Sequence, residues 1–442
     1  MKAFNLLLFH PFFQPQLASP QKFARTNHLN EVRLNAGSGI IRQRAQWKSN
    51  SIFITIINLI FKNRGFLTPP ASLKDQDFKF QKGNQVKLFF KGDDAFAAIR
   101  EAIQNAHSEV LLETYILRDD ETGRSLLKLL GEATRRGVQI KVLADGYGSW
   151  GTKHSFWKQM NELGIENRLF HPLGTHFRGL FIRDHRKIII VDQQISFVGG
   201  MNIANEYGSS RKLKNRTWRD SHAMIVGSTA HQFVDIFNQS WVRAGGSPIS
   251  RLPMIPLSTG SVDGLVLNSS FKEGNDQSAL AFSIIVSGSQ KRLWITNSYF
   301  APNQPVITLL KQAALRGVDV RLLLQGPTDM PFLRLASQGI YEELLLAGIR
   351  IFEYQGAILH AKTLICDDHI SVVGSSNLDY RSIYFNAECD LVMHDQNIAE
   401  IMSKTFLHDL VESTEIYLIS CKNRSLIQTI KQQIARIMSP CL

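Results

Sequence analysis

The sequence lacks several features by which classes of protein are commonly recognised. Only four cysteines occur among 442 residues. They show neither CxxC pairing nor metal-ligand spacing, which argues against a disulfide framework and favours a reducing compartment. No HExxH motif is present. The most apolar run near the start, residues 51–61, is about half the length needed to cross a bilayer, so we predict no transmembrane helix.

Acidic residues are scarce at both ends of the chain. Residues 1–66 carry nine Lys and Arg against Glu31 alone, and residues 421–442 carry four against none, so the two ends account for the whole net charge of +12. Residues 67–420 are balanced, whereas a nucleic-acid enzyme usually concentrates positive charge around its site. We therefore expect no nucleic-acid partner. Basic ends with apolar neighbours suit an anionic membrane surface, although residues 1–66 could equally be a poorly ordered extension.

Strand and helix patterns alternate from about residue 84 onwards. Strands are predicted at 85–90, 109–117, 138–145 and 166–170, and helices at 95–106, 125–136 and 155–163. This order predicts an α/β fold with a parallel-rich sheet covered by helices.

The second half of the chain repeats this order. Residues 292–300 stand where 109–117 stood, and 309–324 match 127–142. We predict a basic N-terminal extension (1–83), a first half (84–245), a linker (246–264), a second half (265–415) and a basic amphipathic tail (416–442). In the tail, the apolar face of a helix over 425–438 would lie on a membrane or, the favoured alternative, pack onto the protein itself.

One motif occurs twice and carries the chemistry. The first copy runs from His185 through Lys187 to Asp192, followed by Gly199-Gly200 and Asn202; the second runs from His360 through Lys362 to Asp367, followed by Gly374-Ser375 and Asn377. The spacing is identical in both copies, and a chance second occurrence is on the order of one in ten thousand. A single His-x-Lys on a strand would be a core histidine, but the duplication reverses that interpretation.

The apolar run Ile188–Val191 predicts that the motif forms a buried strand. A period of two then places His185 and Lys187 on one face, and Asp192 on the other face or beyond the strand end. The six motif residues form the predicted catalytic set, in which Asp192 and Asp367 are expected to support the strand ends. The glycines are expected to form a tight turn that brings Asn202 and Asn377 back towards the site.

Two His and two Lys at one centre favour phosphate chemistry without a metal or cofactor. Two imidazoles could ligate a metal, but two adjacent lysines would add unfavourable charge, and no further ligand has suitable spacing. Lys and Asn donors suit a phosphate. One neutral His can attack phosphorus while the other, protonated, donates to the leaving oxygen, which gives a two-step transfer through a phosphohistidine.

Each histidine should have a carboxylate that orients it. Glu388 is the candidate for the second copy and Asp220 for the first, with Glu206 a weaker rival to Asp220. The longer spacing in the first copy predicts an extra loop over residues 208–216, whose basic side chains would meet lipid head groups or remain solvated.

These motifs, with the stretches 111–116, 144–148, 197–202, 325–331 and 352–354, resemble the phospholipase D superfamily. Within it they are similar to bacterial cardiolipin synthases of the type without N-terminal transmembrane helices. The resemblance covers about residues 84–415. It implies two α/β/α sandwich halves related by a pseudo-twofold axis and sharing one active site. It also implies that His185 is the nucleophile, that His360 is the acid and then the base, and that Lys187 and Lys362 clamp the phosphate.

The resemblance further implies transfer of a phosphatidyl group between phospholipids. The acceptor would be phosphatidylglycerol, with phosphatidylethanolamine a further candidate substrate, and the protein would be a peripheral one on the cytoplasmic face of a bacterial inner membrane. Residues 1–66 depart from that type, being longer and more basic. A hydrolytic phospholipase D, a nuclease of the superfamily and a non-enzymatic membrane scaffold are the alternatives, in that order.

Overall fold

Both halves of the chain are built from the same sequence of strands and helices. The computed structural model describes residues 78–172, 182–208, 217–253, 260–270 and 275–439. The first half consists of β1 (Gln81–Phe89), α1 (Gly92–Gln104), β2 (Glu109–Thr114), α2 (Glu121–Arg135), β3 (Gln139–Asp145), α3 (His154–Glu162), β4 (Glu166–Phe170), β5 (Lys187–Val191), β6 (Ile195–Gly199), a 3₁₀ turn (Asn205–Tyr207), β7 (His222–Val226) and α4 (Ala230–Arg243).

The second half adds two strands, β9 and β16, and several short helices to that plan. It consists of β8 (Val262–Ser270), β9 (Asn275–Asp276), α5 (Gln277–Gly288), β10 (Arg292–Asn297), α6 (Gln304–Leu315), β11 (Asp319–Gln325), α7 (Pro331–Gln338), α8 (Tyr341–Leu346), β12 (Arg350–Tyr354), β13 (Lys362–Cys366), β14 (Ile370–Gly374), α9 (Tyr380–Tyr384), β15 (Glu388–His394), α10 (Gln396–Val411), β16 (Ser413–Ile416), α11 (Leu418–Lys422) and α12 (Leu426–Met438). The predictions for residues 1–77 of the N-terminal extension and for residues 209–216 of the extra loop lie outside the described residues.

The strand order shows the relation between the halves. The first half reads β4-β3-β2-β5-β6-β7-β1, and the second reads β12-β11-β10-β13-β14-β15-β8, with β16 added beside β12. Strands β1 and β8 pair antiparallel and join the two orders into one continuous sheet. The arrangement is that of two copies of one unit related by a pseudo-twofold axis, as the duplicated motif predicts.

The sheet is less parallel than the sequence predicts. Only β2-β3-β4 and β10-β11-β12 pair in parallel, whereas the motif strands β5 and β13 are antiparallel to both of their neighbours. The reason is the short connection after each motif strand, since a parallel crossover needs a dozen or more residues. Asp192 and Gln193 adopt φ of 50° and 54°, the left-handed conformation that two-residue hairpin turns require.

The predicted end of helix α2 is correct, whereas its predicted start lies four residues too late. Helix α2 begins at Glu121, earlier than predicted, because the Asp120 side chain accepts a hydrogen bond from the amide of Gly123. Gly137 ends the helix with a φ of 94°, and Gly317 does the same at 89° in the second half.

The strand nearest the junction of the halves starts earlier than predicted. β1 begins at Gln81 instead of residue 85, because its first residues pair with β8, a partner that no local pattern reveals. One apolar cluster includes Phe233 and Trp241 from the first half with Leu391 and Phe406 from the second, so the halves share buried core. All described residues lie in one compact unit.

Candidate active site

Each motif strand presents its histidine and lysine together at its amino end. Lys187 Nζ donates to the carbonyl oxygen of His185 at 2.6 Å, and Lys362 Nζ donates to that of His360. All four side chains are buried. The two-residue spacing therefore places His and Lys on one face of the strand, as the alternation predicts.

Backbone pairing between the halves joins the two motifs. The amide of His185 donates to the carbonyl of Ala387 at 2.9 Å, and the amide of His360 donates to the carbonyl of Arg219 at 2.7 Å. Each bond lies in an isolated parallel bridge, 184 with 387 and 219 with 359. The first residue of each motif is thus bound by the backbone of the opposite half. The residue that binds it comes directly before the predicted carboxylate of that half.

The orienting carboxylates are exchanged between the halves. His185 Nδ1 contacts Glu388 Oε2 at 3.0 Å, and His360 Nδ1 contacts Asp220 Oδ2 at 2.7 Å. Each predicted acid contacts a motif histidine, but it is the histidine of the other copy, so the assignment of each acid to its own copy is wrong. The backbone bridges explain the exchange, because Ala387 precedes Glu388 and Arg219 precedes Asp220.

The two carboxylates are supported differently. Glu388 accepts hydrogen bonds from Ser375 Oγ (2.5 Å), Ser382 Oγ (2.7 Å) and Asn386 Nδ2 (3.3 Å). Asp220 accepts from the backbone amide of Ser221 at 2.7 Å.

In the first copy of the motif, Gly200 stands where the second copy has Ser375. Gly200 lies beside Asp220, whereas Ser375 donates a hydrogen bond to Glu388. A Cβ at Gly200 would lie 2.2 Å from Asp220 Oδ1, so no side chain fits there. The glycines before Asn202 and Asn377 thus allow two other segments to approach closely, the one with Asp220 at Gly200 and the one with Asp390 at Gly374. Gly199 and Gly374 are the last residues of β6 and β14, and the backbone that follows them forms no turn, so the tight-turn prediction is wrong.

Both histidines are held neutral before a phosphate binds. Burial, followed by the charges of Lys187 and Lys362, lowers the pKa of His185 well below its usual range. Burial and the same two lysines lower the pKa of His360 likewise. Because a carboxylate faces each Nδ1, that nitrogen carries the proton, and Nε2 keeps the lone pair that a nucleophile or base needs.

The lysines and carboxylates are also shifted by burial. The pKa of Lys187 falls to about 7 and that of Lys362 to about 8. The pKa of Glu388 rises to about 7 and that of Asp220 to about 6. Each group loses water that would stabilise its charge, and nearby opposite charges only partly compensate. A buried anionic phosphate would stabilise the cationic lysines directly.

Aromatic rings surround the histidines unequally. The Tyr115 ring lies 4.9 Å from that of His185. The rings of Tyr207, Trp218 and Tyr299 lie 5.3–5.9 Å from that of His360. No sequence pattern singles out these four aromatic residues, since aromatic side chains beside strands are more often core.

The two motif aspartates lie at the far ends of their strands. The Asp192 carboxylate accepts from the amides of residues 107, 108 and 109, and that of Asp367 from the amides of 290, 291 and 292. Each aspartate is seven residues beyond its histidine, which is about 20 Å along an extended chain. They are not brought to the reacting groups, so their inclusion in the catalytic set is wrong, whereas a support for the strand end is what these contacts provide.

The two asparagines lie next to the site and bind protein groups. Asn202 accepts from the amide of Ile116 at 3.1 Å and donates to Tyr207 Oη at 2.7 Å, while Asn377 accepts from Ser298 Oγ at 2.8 Å. These bonds anchor the segments that follow β2 and β10. Phosphate binding by either amide remains a prediction.

Arg186, which lies between His185 and Lys187, forms a buried link between the halves. It donates to Glu113 (3.3 Å) in the first half, and to Asn268 Oδ1 (2.6 Å) and the Glu388 carbonyl (3.3 Å) in the second. Ala361 occupies the same position in the second copy. Sequence reasoning missed this contrast because a buried arginine is rare and its partners are distant along the chain.

The rival acid does not reach the site. Glu206 pairs with Arg118 at 3.7 Å, whereas the carboxylates bound to the two histidines in the described part of the chain are Glu388 and Asp220. Within the described ranges, no three His, Cys, Asp or Glu side chains are grouped as a metal site would require. Nor does any helix in those ranges have the length and apolar character to cross a membrane.

Comparison with known proteins agrees with this geometry. A family model described as "Cardiolipin synthase, PLD-like domain" matches residues 99–241 and 284–410. The chain is 32% identical over 363 residues to the cardiolipin synthase of Halalkalibacterium halodurans, covering 80% of this chain and 72% of that protein. It is 34% identical over 370 residues to cardiolipin synthase A of Pseudomonas putida, covering 81% and 75%.

A solved structure shares the fold. The crystal structure of phosphatidylserine synthase from Haemophilus influenzae superposes with a TM-score of 0.67 at 15% identity, covering 83% of this chain and 96% of that one. The fold and the paired motifs thus define a phospholipase D-like protein of two halves. The chain belongs to the cardiolipin synthase family of such proteins.

Proposed function

We propose that this protein is a phosphatidyltransferase that makes cardiolipin from phosphatidylglycerol at a membrane surface. The observation that carries the proposal is the convergence of two neutral, carboxylate-bound histidines and two buried lysines from opposite halves. Family membership supplies the lipid substrates. Phosphatidylethanolamine is a second candidate substrate, and the cytoplasmic face of a bacterial inner membrane is the proposed location.

In the first step, His185 Nε2 attacks the phosphorus of the donor lipid. Glu388 holds the Nδ1 proton and stabilises the positive charge that develops on the ring. The bond from phosphorus to the head-group oxygen breaks, and that oxygen takes a proton from His360. Binding of the phosphate anion raises the pKa of His360 from its lowered value and so supplies the acid form.

In the second step, the acceptor hydroxyl attacks the phosphohistidine. His360, now neutral, removes the hydroxyl proton, and the bond between phosphorus and His185 breaks. Two phosphatidylglycerol molecules give one cardiolipin and one glycerol, and both histidines return to their starting states. Lys187 and Lys362 bind the phosphoryl oxygens throughout, which requires both lysines to be protonated.

The test is an assay of the purified full chain on phosphatidylglycerol in mixed micelles with a chelator present. We expect cardiolipin and glycerol in equal amounts by mass spectrometry, and a loss of at least ~10³-fold in His185→Ala. His408→Ala is the matched control, because that side chain is 78% exposed. Phosphatidic acid in place of cardiolipin, even with added phosphatidylglycerol, would identify a hydrolase and contradict the proposal.

A further inference from the structure

The last helix presents its apolar side chains to solvent. On α12, Leu426 and Ile427 are 76% and 68% exposed, and Ile430, Ile434 and Ile437 are exposed as well. The buried side of this helix carries Gln432 and Ala435 instead. An ordinary surface helix has the opposite orientation, with its apolar stripe against the core. The favoured prediction, that the apolar face packs onto the protein, is therefore wrong.

Polar contacts hold the helix in this orientation. Arg424 pairs with Glu342 at 3.2 Å and donates to the carbonyl of Gln338 at 3.0 Å, and Arg436 pairs with Glu343 at 3.3 Å. These bonds attach the helix to α7 and α8 without using its apolar face. That face is thus fixed outwards and available to a partner.

The helix lies close to the candidate active site. Ala435 packs in a small cluster with Ala301 and Leu333, and Tyr299 packs against the same cluster. The Tyr299 ring is 5.9 Å from that of His360. A small apolar cluster and the Tyr299 ring therefore connect α12 with His360.

Each half exposes an apolar side chain in the loop that follows β3 in the first half and β11 in the second. Trp150, in the loop after β3, is 73% exposed, and Met330, in the loop after the equivalent strand β11, is also exposed. In the Trp150 loop, Ser149 Oγ donates to the Tyr115 carbonyl at 3.1 Å, and Tyr115 contacts His185. Tyr115 beside His185 and Tyr299 beside His360 thus each contact a loop that exposes an apolar side chain, and tryptophan is favoured at membrane interfaces.

The charge of residues 421–439 indicates what kind of surface the apolar face of α12 would bind. Residues 421–439 contain four basic residues and no acidic one, and Lys422 and Lys431 are exposed. Exposed lysines beside a protruding apolar face favour an anionic bilayer over a second protein with a neutral apolar groove.

We propose that the outward face of α12, together with Trp150, docks onto an anionic lipid bilayer and presents the active site to it. The choice of a lipid surface as occupant rests on the proposed function, since the substrates are lipids. A second copy of the chain is the competing occupant.

The test is flotation of the full-length protein with vesicles of phosphatidylglycerol and phosphatidylcholine, or of phosphatidylcholine alone. We expect wild type to prefer the anionic vesicles. The triple variant Ile427→Ser, Ile430→Ser, Ile434→Ser should lose on the order of tenfold or more of its partition coefficient, because three apolar contacts are removed. The matched control is Leu315→Ser with Leu346→Ser, two side chains of similar exposure on α6 and α8, which should bind as wild type does.

Further readouts separate the outcomes. Thermal unfolding verifies that each variant is folded. Equal flotation of the triple variant and wild type overturns the docking surface, and so does sedimentation that shows a wild-type dimer separated by the triple variant. If the wild type makes no cardiolipin but still binds vesicles more strongly than the triple variant does, the docking surface stands and the proposed function fails. If transfer is normal in micelles and flotation is unchanged by the substitutions, the function stands and the docking surface fails.

Discussion

The two copies of the motif share their reacting groups and differ in what surrounds them. His185 is held by a Glu388 that three side chains support, whereas His360 is held by Asp220, which the Ser221 amide supports. Three aromatic rings surround His360 and one contacts His185. A duplicated unit has thus kept one chemistry while acquiring two environments, which is what different roles for two identical side chains require.

The exchange of carboxylates gives the comparison its strongest test. Glu388→Gln and Asp220→Asn should each reduce kcat by on the order of 10²- to 10⁴-fold, because an amide no longer fixes the imidazole tautomer. A phosphatidyl ester of p-nitrophenol, whose leaving group needs no proton, should restore the first step of Asp220→Asn and leave Glu388→Gln impaired. Release of p-nitrophenol measures this step.

The opposite pattern would contradict the exchange. Rescue of Glu388→Gln by the activated ester, with Asp220→Asn unchanged, would place each carboxylate with the histidine of its own motif. A Ser376→Ala variant serves as a control for nonspecific disturbance near Glu388, since Ser376 bonds Asp390 instead.

The residue between the histidine and the lysine is Arg186 in the first copy and Ala361 in the second, and the two should contribute unequally to the stability of the protein. Arg186→Ala gives the first motif the residue of the second and leaves the buried carboxylate of Glu113 without its cation. We expect a loss of about 3–5 kcal/mol in the free energy of unfolding, measured in denaturant. Ala361→Gly should cost about 1 kcal/mol. Similar losses in both variants would show that the arginine adds no specific link between the halves.

The motif aspartates should behave alike, because both bind backbone amides. Asp192→Asn and Asp367→Asn should each cost about 1–3 kcal/mol of stability while kcat of the folded protein stays near that of wild type. Thermal unfolding and initial rates measure the two effects, with Asp368→Asn, whose side chain is 48% exposed, as control. A kcat loss above ~10²-fold at unchanged melting temperature would place these carboxylates in the chemistry.

The pH dependence reflects both environments at once. The carboxylates must be ionised, and their pKa values are raised to about 7 (Glu388) and about 6 (Asp220), so activity should fall as the pH drops through this range. The lysines must be protonated, and their pKa values are lowered to about 7 (Lys187) and about 8 (Lys362), so activity should also fall as the pH rises above it. A narrow bell near neutrality is expected in kcat/KM, with limbs that belong to the coupled groups. A flat profile between pH 6 and 9 would contradict these shifts.

The sequence was sufficient to predict features that depend on local pattern. The duplicated motif identified the repeat, and the strand period placed His185 with Lys187 and kept Asp192 away from them. The pairing of His185 with Glu388 was beyond such reasoning, because it depends on bridges between segments about 200 residues apart. The antiparallel pairing of the motif strands follows from the short turn at Asp192 and Gln193, which the alternation of strands and helices does not indicate. The orientation of α12 depends on ion pairs with α8 that no periodicity shows.

The assignment of unlike roles to two like histidines can be tested by trapping the covalent intermediate. The full chain is mixed with phosphatidylglycerol, quenched within milliseconds at alkaline pH to preserve phosphohistidine, digested and analysed by mass spectrometry. Our account predicts a phosphatidyl group on His185, enriched in Asp220→Asn when the activated p-nitrophenyl ester is the donor, because the base that completes the second step is impaired. A phosphatidyl group on His360, with none on His185, would contradict it.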